Sequence, residues 1–453
     1  VSDTEQVIPK NTSQFLAVLR LRKFMIFSVS QAISLFGDKL DYMALLAMIA
    51  FFTTKYNWES ARAISYLSVI ITLPTILFGP LAGILVDRWN RAKVMIICDA
   101  ARALLVLSIP LLILKTGSLV LVYTIAFLVF LCGLFFNTCR LSVIPNLVSP
   151  RRLLAANSFL NFIGRISTFL GMFLGGILVD WHIWKKIGIP YSWSAGFYLD
   201  SLTYLVSVIA LIFIAKHIGL RRSNRVPEAN LDTASVKRTL PQLFYDEISK
   251  TIRDIKQAYQ VIRHMPPVLF VYASIMLMVI LGAAMFVLFV PVIQEARTEL
   301  GLGLGTKGVG FIGAIGSIGL VISSMAYGFI GHRIRKRNVI LGGFIILGFI
   351  AVLMAAFKTF LPVIPLAFFA GIVLSPIFIA QDTLIHETVP EETRGRIFST
   401  REWILHFSFA ISAFLIGQLT IFFSKRRLLF GVGIFIIILC IIGFFLTRNK
   451  KIG

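Results

Sequence analysis

The chain has 453 residues, 57% of them hydrophobic and 14% charged, with 40 Phe and a mean hydropathy of +0.87, which no soluble domain could hide in its interior. Its net charge of +23 is large enough for a nucleic-acid binder, but the Lys and Arg residues recur at the ends of apolar stretches and form no single patch. Composition therefore excludes a soluble enzyme and a nucleic-acid partner, and points to a chain that spans a membrane.

Cut at its charged clusters, the sequence divides into apolar stretches of roughly 20 residues, the length a helix needs to cross a hydrocarbon core of about 30 Å. Residues 1–23 are polar and basic without a cleavage-site pattern, so the first helix is expected to act as the insertion signal. Helices are predicted at 24–52, 61–86, 94–114, 118–144, 153–180 and 194–215, forming a first bundle over 24–215. Residues 216–266 read as a polar linker whose apolar-periodic segment from Leu243 to Ile262 is expected to lie at the membrane interface. A second bundle over 267–447 follows, with helices at 267–293, 306–330, 338–357, 361–385, 400–423 and 428–447, and then a tail at 448–453. The distribution of Lys and Arg places both termini and the linker in the cytoplasm of a bacterial inner-membrane protein. Cys98, Cys132, Cys139 and Cys440 fall inside apolar stretches without paired metal or redox spacing, and read as free thiols.

An internal repeat defines the architecture. The run Gly83-Ile-Leu-Val-Asp87-Arg88-Trp-Asn-Arg91 has a counterpart in Gly328-Phe-Ile-Gly-His332-Arg333-Ile-Arg-Lys336, and the same register pairs Pro145 with Pro390. The expected fold is thus an all-α membrane protein of twelve transmembrane helices in two pseudo-symmetric six-helix bundles, the form of an alternating-access transporter. A glycine one turn before a helix end permits close packing, and Asp87 with Arg88 and Arg91 makes a charged loop suited to latching helix ends or to pairing across the halves. Gly328, Arg333 and Lys336 are the matching latch candidates, with His332 standing where a second Asp would complete the copy. Plain topogenic charge is the alternative reading.

These segments resemble the major facilitator superfamily, whose signature loop matches Gly83, Asp87, Arg88 and Arg91. Within it the chain resembles the drug:proton antiporter branch that includes macrolide-efflux proteins and the enterobactin exporter. The segments that carry this are Phe36-Gly37-Asp38, Phe78-Gly79-Pro80, Ile144-Pro145-Asn146 running to Asn157-Ser158, Gly164-Arg165 with Gly175-Gly176, and Val389-Pro390 running to Ser399. There is also similarity to lysophospholipid transporters, in Phe36-Gly37-Asp38 and from Ala156 to Trp181. The resemblance implies proton-coupled export of an amphipathic small molecule of drug, macrolide or siderophore type by a monomer. Movement of a lysophospholipid and uncoupled facilitation are its rivals.

Ionisable groups at membrane depth are functional candidates by default. Asp38, Lys39 and Asp41 lie mid-way along the first helix, with Asp38 and Asp41 on one face. Either Asp is expected to carry the coupling proton, with Asp200 in the outer half of the path, unless Lys39 simply forms an internal ion pair. Asn157, Asn161 and Arg165 share a polar face of the fifth helix and are expected to line the substrate cavity together with Lys39. Arg165 then either binds an anionic group or acts as counter-ion to a first-helix Asp, or else it snorkels. Arg140, Asp99 with Arg102, Asp382, and Glu402 with His406 are placed toward cytoplasmic helix ends as snorkelling or gate residues. No metalloprotease, hydrolase or nucleotide-loop motif occurs, so no enzyme activity, metal or cofactor is expected. A degenerate transporter acting as a receptor stays open.

Overall fold

A computed structural model describes residues 18–219, 265–297 and 301–447, together with Ser249 and Arg253. The predicted interfacial segment from Leu243 to Ile262 and the tail at 448–453 lie outside the described residues, as do the side chains of Asp87 and His332.

The helices of the first bundle are α1 (Arg22–Tyr56), α2 (Ser60–Arg88), α3 (Arg91–Thr116), α4 (Leu119–Leu147), α5 (Leu153–Val179) and α6 (Ser192–Gly219). In the second they are α7 (Pro266–Gln294), α8 (Gly305–Ile330), α9 (Lys336–Ala356), α10 (Val363–Thr388), α11 (Glu391–Leu419) and α12 (Lys425–Thr447). Eleven of these are long and apolar enough to cross a membrane. The other is α1, long enough at 35 residues but carrying Asp38, Lys39 and Asp41 near its middle. α11 begins well before the predicted residue 400, because a helix satisfies its own backbone and need not stop where apolar sequence does.

Local signals set the helix ends. Asn57, at φ 53°, closes α1, and Gly117, at φ 64°, closes α3, left-handed positions that Asn and Gly tolerate. Asn90 caps α3 by accepting the Lys93 amide at 3.2 Å. α7 contains a π turn over Met285–Phe289, a one-residue bulge that occurs often at functional places.

Within the first bundle α1 packs between α5 and α6, and α3 lies against α4 and α6; across the halves, α2 packs on α11 and α5 on α8. Lipid removes the hydrophobic drive between helices, so close approach at small residues matters more. At the α5–α8 crossing a Cβ on Gly176 would stand 2.9 Å from the Thr306 carbonyl oxygen and 3.1 Å from the Cα of Gly310. The two backbones therefore meet there directly.

Candidate functional site

Asp99 and Arg102 sit three apart on α3, and α1 and α6 bring their own polar side chains against them. Arg102 pairs with Asp99 and reaches Asp38, with 3.2 Å between Nη1 and Oδ1. Tyr204 on α6 donates its hydroxyl to the same Asp38 oxygen at 2.7 Å. The guanidinium also lies over the Tyr204 and Phe136 rings, 4.3 Å and 4.6 Å from their centroids. Asp41 and Asp200 are within electrostatic reach of Asp38 and Arg102 and of each other. Gly37 lets α6 in, since a Cβ there would run into the Thr203 hydroxyl and the Asp200 carboxylate.

This cluster is dry except at Asp38, whose side chain is 27% exposed. Asp99 and Asp200 are 0% exposed, Arg102 2% and Asp41 3%. Oδ1 of Asp41, Oδ2 of Asp99 and Oδ2 of Asp200 have no hydrogen-bond partner among the described residues. Three buried carboxylates and the partly exposed Asp38 thus gather round Arg102, with Arg140 also within electrostatic reach of Asp38, and an uncompensated charge in the buried part costs several kcal/mol.

The sequence-based placements change in several respects. Asp200 belongs with Asp38 and Asp41, not to a separate outer position. Asp99 and Arg102 are a buried ion pair whose Arg102 also reaches Asp38, not snorkelling end residues; their spacing of three inside the apolar run from Met95 to Pro110 was the available signal. Lys39 turns toward Tyr42, its ammonium 5.9 Å from the ring centroid. Asn157, Asn161 and Arg165 are all exposed, and Arg165 is not the counter-ion of Asp38. α5 meets α1 along Gly164, Gly171 and Gly175, and Arg165, one residue on from Gly164, stands about 100° round the helix from that seam. In the second bundle Arg401 pairs with Asp382 at 2.5 Å, joining α11 to α10.

The latch residues also sit differently from expectation. Among the described residues no neighbouring atom comes within 4 Å of where a Cβ on Gly83 or Gly328 would stand, so no described residue packs closely on either glycine. Arg91 donates to the Ser142 carbonyl at 3.1 Å, inside the first half. Lys336 pairs with Glu387 at 2.9 Å, inside the second, while Arg88 and Arg333 are exposed.

The described polar ties between the halves gather toward the opposite end of the bundle. Lys425 bridges Glu59 at 3.1 Å and Glu295 at 2.7 Å, and Ser60 donates to Glu295 at 2.5 Å. Gln294 donates to the Leu46 carbonyl at 3.3 Å and to Thr306 at 2.9 Å. Asp180, just past α5, accepts the Lys307 amide at 2.7 Å, in the first turn of α8, where the helix dipole favours an anion. Burial holds the Asp180 carboxyl above the usual carboxylate range, against the lowering pull of the Lys307 and Thr306 amides and of the Lys307 and His182 charges. Deeper in, Tyr42 on α1 stacks on Phe286 in the π turn, with centroids 5.6 Å apart. One end is therefore sealed by ion pairs, a cross-half helix cap and stacked rings.

Comparison with known proteins agrees with this architecture. The family model of the Major Facilitator Superfamily matches residues 29–306 and 275–453. The MFS-type transporter YfiS of Bacillus subtilis is 24% identical, covering 83% of this chain and 81% of the relative. A protein of the same organism named as a bacilysin exporter, BacE, is 24% identical, with 88% of each chain covered. The lysophospholipid transporter LplT of Cronobacter sakazakii is 23% identical over 37% of this chain and 39% of its own. Among solved structures, a bacterial homologue of the iron transporter ferroportin in an inward-facing state superposes with a TM-score of 0.67 at 17% identity, covering 95% of this chain and 100% of that one. With its duplicated bundles, its apolar helices and a family match running nearly end to end, the chain belongs to the Major Facilitator Superfamily and is a multi-pass membrane transporter.

Proposed function

We propose that the chain exports an amphipathic small molecule by alternating access, driven by protons that enter through the carboxylates of Asp38, Asp41 and Asp200. The observation that carries this reading is the excess of buried carboxylates over Arg102, with Asp41 and Asp200 each keeping an unpartnered oxygen. Such a cluster calls for a mobile positive charge, and a proton is the smallest. Export is supported by the similarity to BacE, and the exposed line of Asn157, Asn161 and Arg165 is the proposed substrate-facing surface.

With the Lys- and Arg-rich side in the cytoplasm of a bacterial inner membrane, both termini and the 216–266 linker are cytoplasmic. The end sealed by Lys425 is then extracellular and the conformation faces inward. The Gly83–Arg91 and Gly328–Lys336 loops serve as the latch of the opposite state, and Gly83 and Gly328, with no described neighbour close by, are where helix ends meet when that side closes. The protein acts as a monomer and not as an enzyme.

Similarity to LplT favours a second reading, movement of a lysophospholipid between leaflets. Proteoliposomes under an imposed pH gradient, given a panel of amphipathic antibiotics and siderophores and, separately, a labelled lysophospholipid, test both. Gradient-driven accumulation of a solute supports export, whereas lysophospholipid movement alone replaces it with the lipid reading. No pH-dependent flux of either removes the proton step.

A further inference from the structure

On the outer face of the first bundle, between α3 and α4, lies a cavity of about 390 Å³, within the roughly 300–1,000 Å³ range of small-ligand sites. It lies on the far side of a shared wall from the carboxylate cluster, and away from the sealed end. Trp89 and Lys93 stand at one end of it, and Val94, Ile97, Cys98 and Phe135 line the rest. Ile97 is 65% exposed and Trp89 46%, so the cavity opens sideways, toward lipid in a chain that spans a membrane.

Its inner wall is held in place by the buried cluster. Cys98 precedes Asp99, which pairs with Arg102, and Phe135 precedes Phe136, whose ring lies under the same guanidinium. The Cys98 and Cys132 thiols lie close to one another across the two helices. Consecutive residues on each helix therefore face the cavity on one side and the ion pair on the other, which makes the cavity a preformed feature and not a gap free to collapse.

The chemistry at the two ends differs. The lining is apolar, Lys93 lending it the methylene stem, and Lys93 is itself exposed in the first turn of α3, where the helix end favours anions. Trp89 is placed as residues of the membrane–water boundary are. We propose that this cavity binds one acyl chain of an anionic phospholipid, with the lipid phosphate held at Lys93 and the chain lying along Val94, Ile97 and Phe135.

Native mass spectrometry of the purified full chain, titrated with dioleoyl phosphatidylglycerol or dioleoyl phosphatidylethanolamine, tests the assignment. One phosphatidylglycerol is expected to bind more tightly than phosphatidylethanolamine. Lys93→Gln should weaken it by about fivefold, the worth of one basic residue at a membrane surface, and Val94→Trp should abolish it by filling the cavity. Lys93 is exposed, so its variant reports on binding and not on folding. Unchanged phosphatidylglycerol binding in both variants would overturn the proposal. Displacement of the lipid by millimolar inorganic phosphate would also overturn it, in favour of a simple anion site.

Discussion

Asp38 on α1 and Arg102 on α3 form an ion pair inside the first bundle, 3.2 Å apart and shared with Asp99 and with the Tyr204 hydroxyl. Arg102 is the shared partner of both acids. Arg102→Ala should leave the fully buried Asp99 without its counter-charge, at a cost of about 3–5 kcal/mol. A large fall in melting temperature in detergent, with transport lost, is the expected result. Arg102→Lys keeps the charge but not the planar fork, and should fall between that variant and the parent. A melting temperature unchanged in the alanine variant would show that the pair is not structural.

Asp41→Asn and Asp200→Asn remove an ionisable group while keeping shape. Each should hold or raise thermal stability, because the unpartnered carboxylate oxygens contribute no hydrogen bond to lose. The proposed coupling role predicts that at least one of them abolishes substrate-induced proton release and retains substrate binding. Normal export by both variants across the same pH gradient would locate the proton step elsewhere.

Lys425 joins Glu59 of the first half to Glu295 of the second, so Lys425→Gln weakens the seal without disturbing either bundle. A partly exposed pair is worth up to about 1 kcal/mol, and the ratio of sealed to unsealed molecules should drop by about fivefold. Distances between spin labels introduced at Lys186 and Lys358 report that ratio. An unaltered distance distribution would leave the bridge without a gating effect.

Asp180 gives the seal a pH dependence whose sign is set by burial. Its carboxyl lies above the usual range when the end is sealed and returns to about 4 once opened to water. The sealed state therefore holds the proton more readily, so sealing strengthens as pH falls through the raised value and weakens above it. Asp180→Asn should flatten the profile, read from the same label pair between about pH 4 and pH 8. Asp180→Ala, which loses the cap on α8, should open the end at every pH. A wild-type profile that is already flat contradicts the argument.

A cysteine introduced at Asn230 should resist a membrane-impermeant maleimide in intact cells and react after permeabilisation, since the Lys and Arg distribution places the linker inside. Strong labelling of intact cells would invert the proposed topology.

The helices were legible in the sequence because each is a run of apolar residues ended by charge, as with Arg88 to Arg91 or Lys115 to Gly117. The duplicated halves were legible because Gly83 and Gly328 fall in one register. Asp38 and Asp41 stood out as charges in the middle of a helix. What joined them did not, because Arg102 and Tyr204 reach Asp38 from helices whose mutual rotation is set by packing at positions such as Gly37. The seal was hidden for a similar reason. Glu59, Glu295 and Lys425 each look like ordinary end-of-helix charges, and only the approach of the two bundles makes them partners.

The repeat copies the helices and the basic loop residues but not the charge inside the first bundle. The register that matches Gly83 with Gly328 also sets Asp38 against Ala283, Asp41 against Phe286, Asp99 against Phe344 and Arg102 against Leu347. Every member of that group has an apolar counterpart, and Ala283, Phe344 and Leu347 are buried. The two halves are therefore not interchangeable: the first carries its charge cluster at these positions, whereas the second is apolar there and keeps its pair of buried Arg401 with Asp382 elsewhere. A chain assembled from two second halves would keep the shape of a transporter and lose the shared Asp38–Arg102–Asp99 charge group altogether.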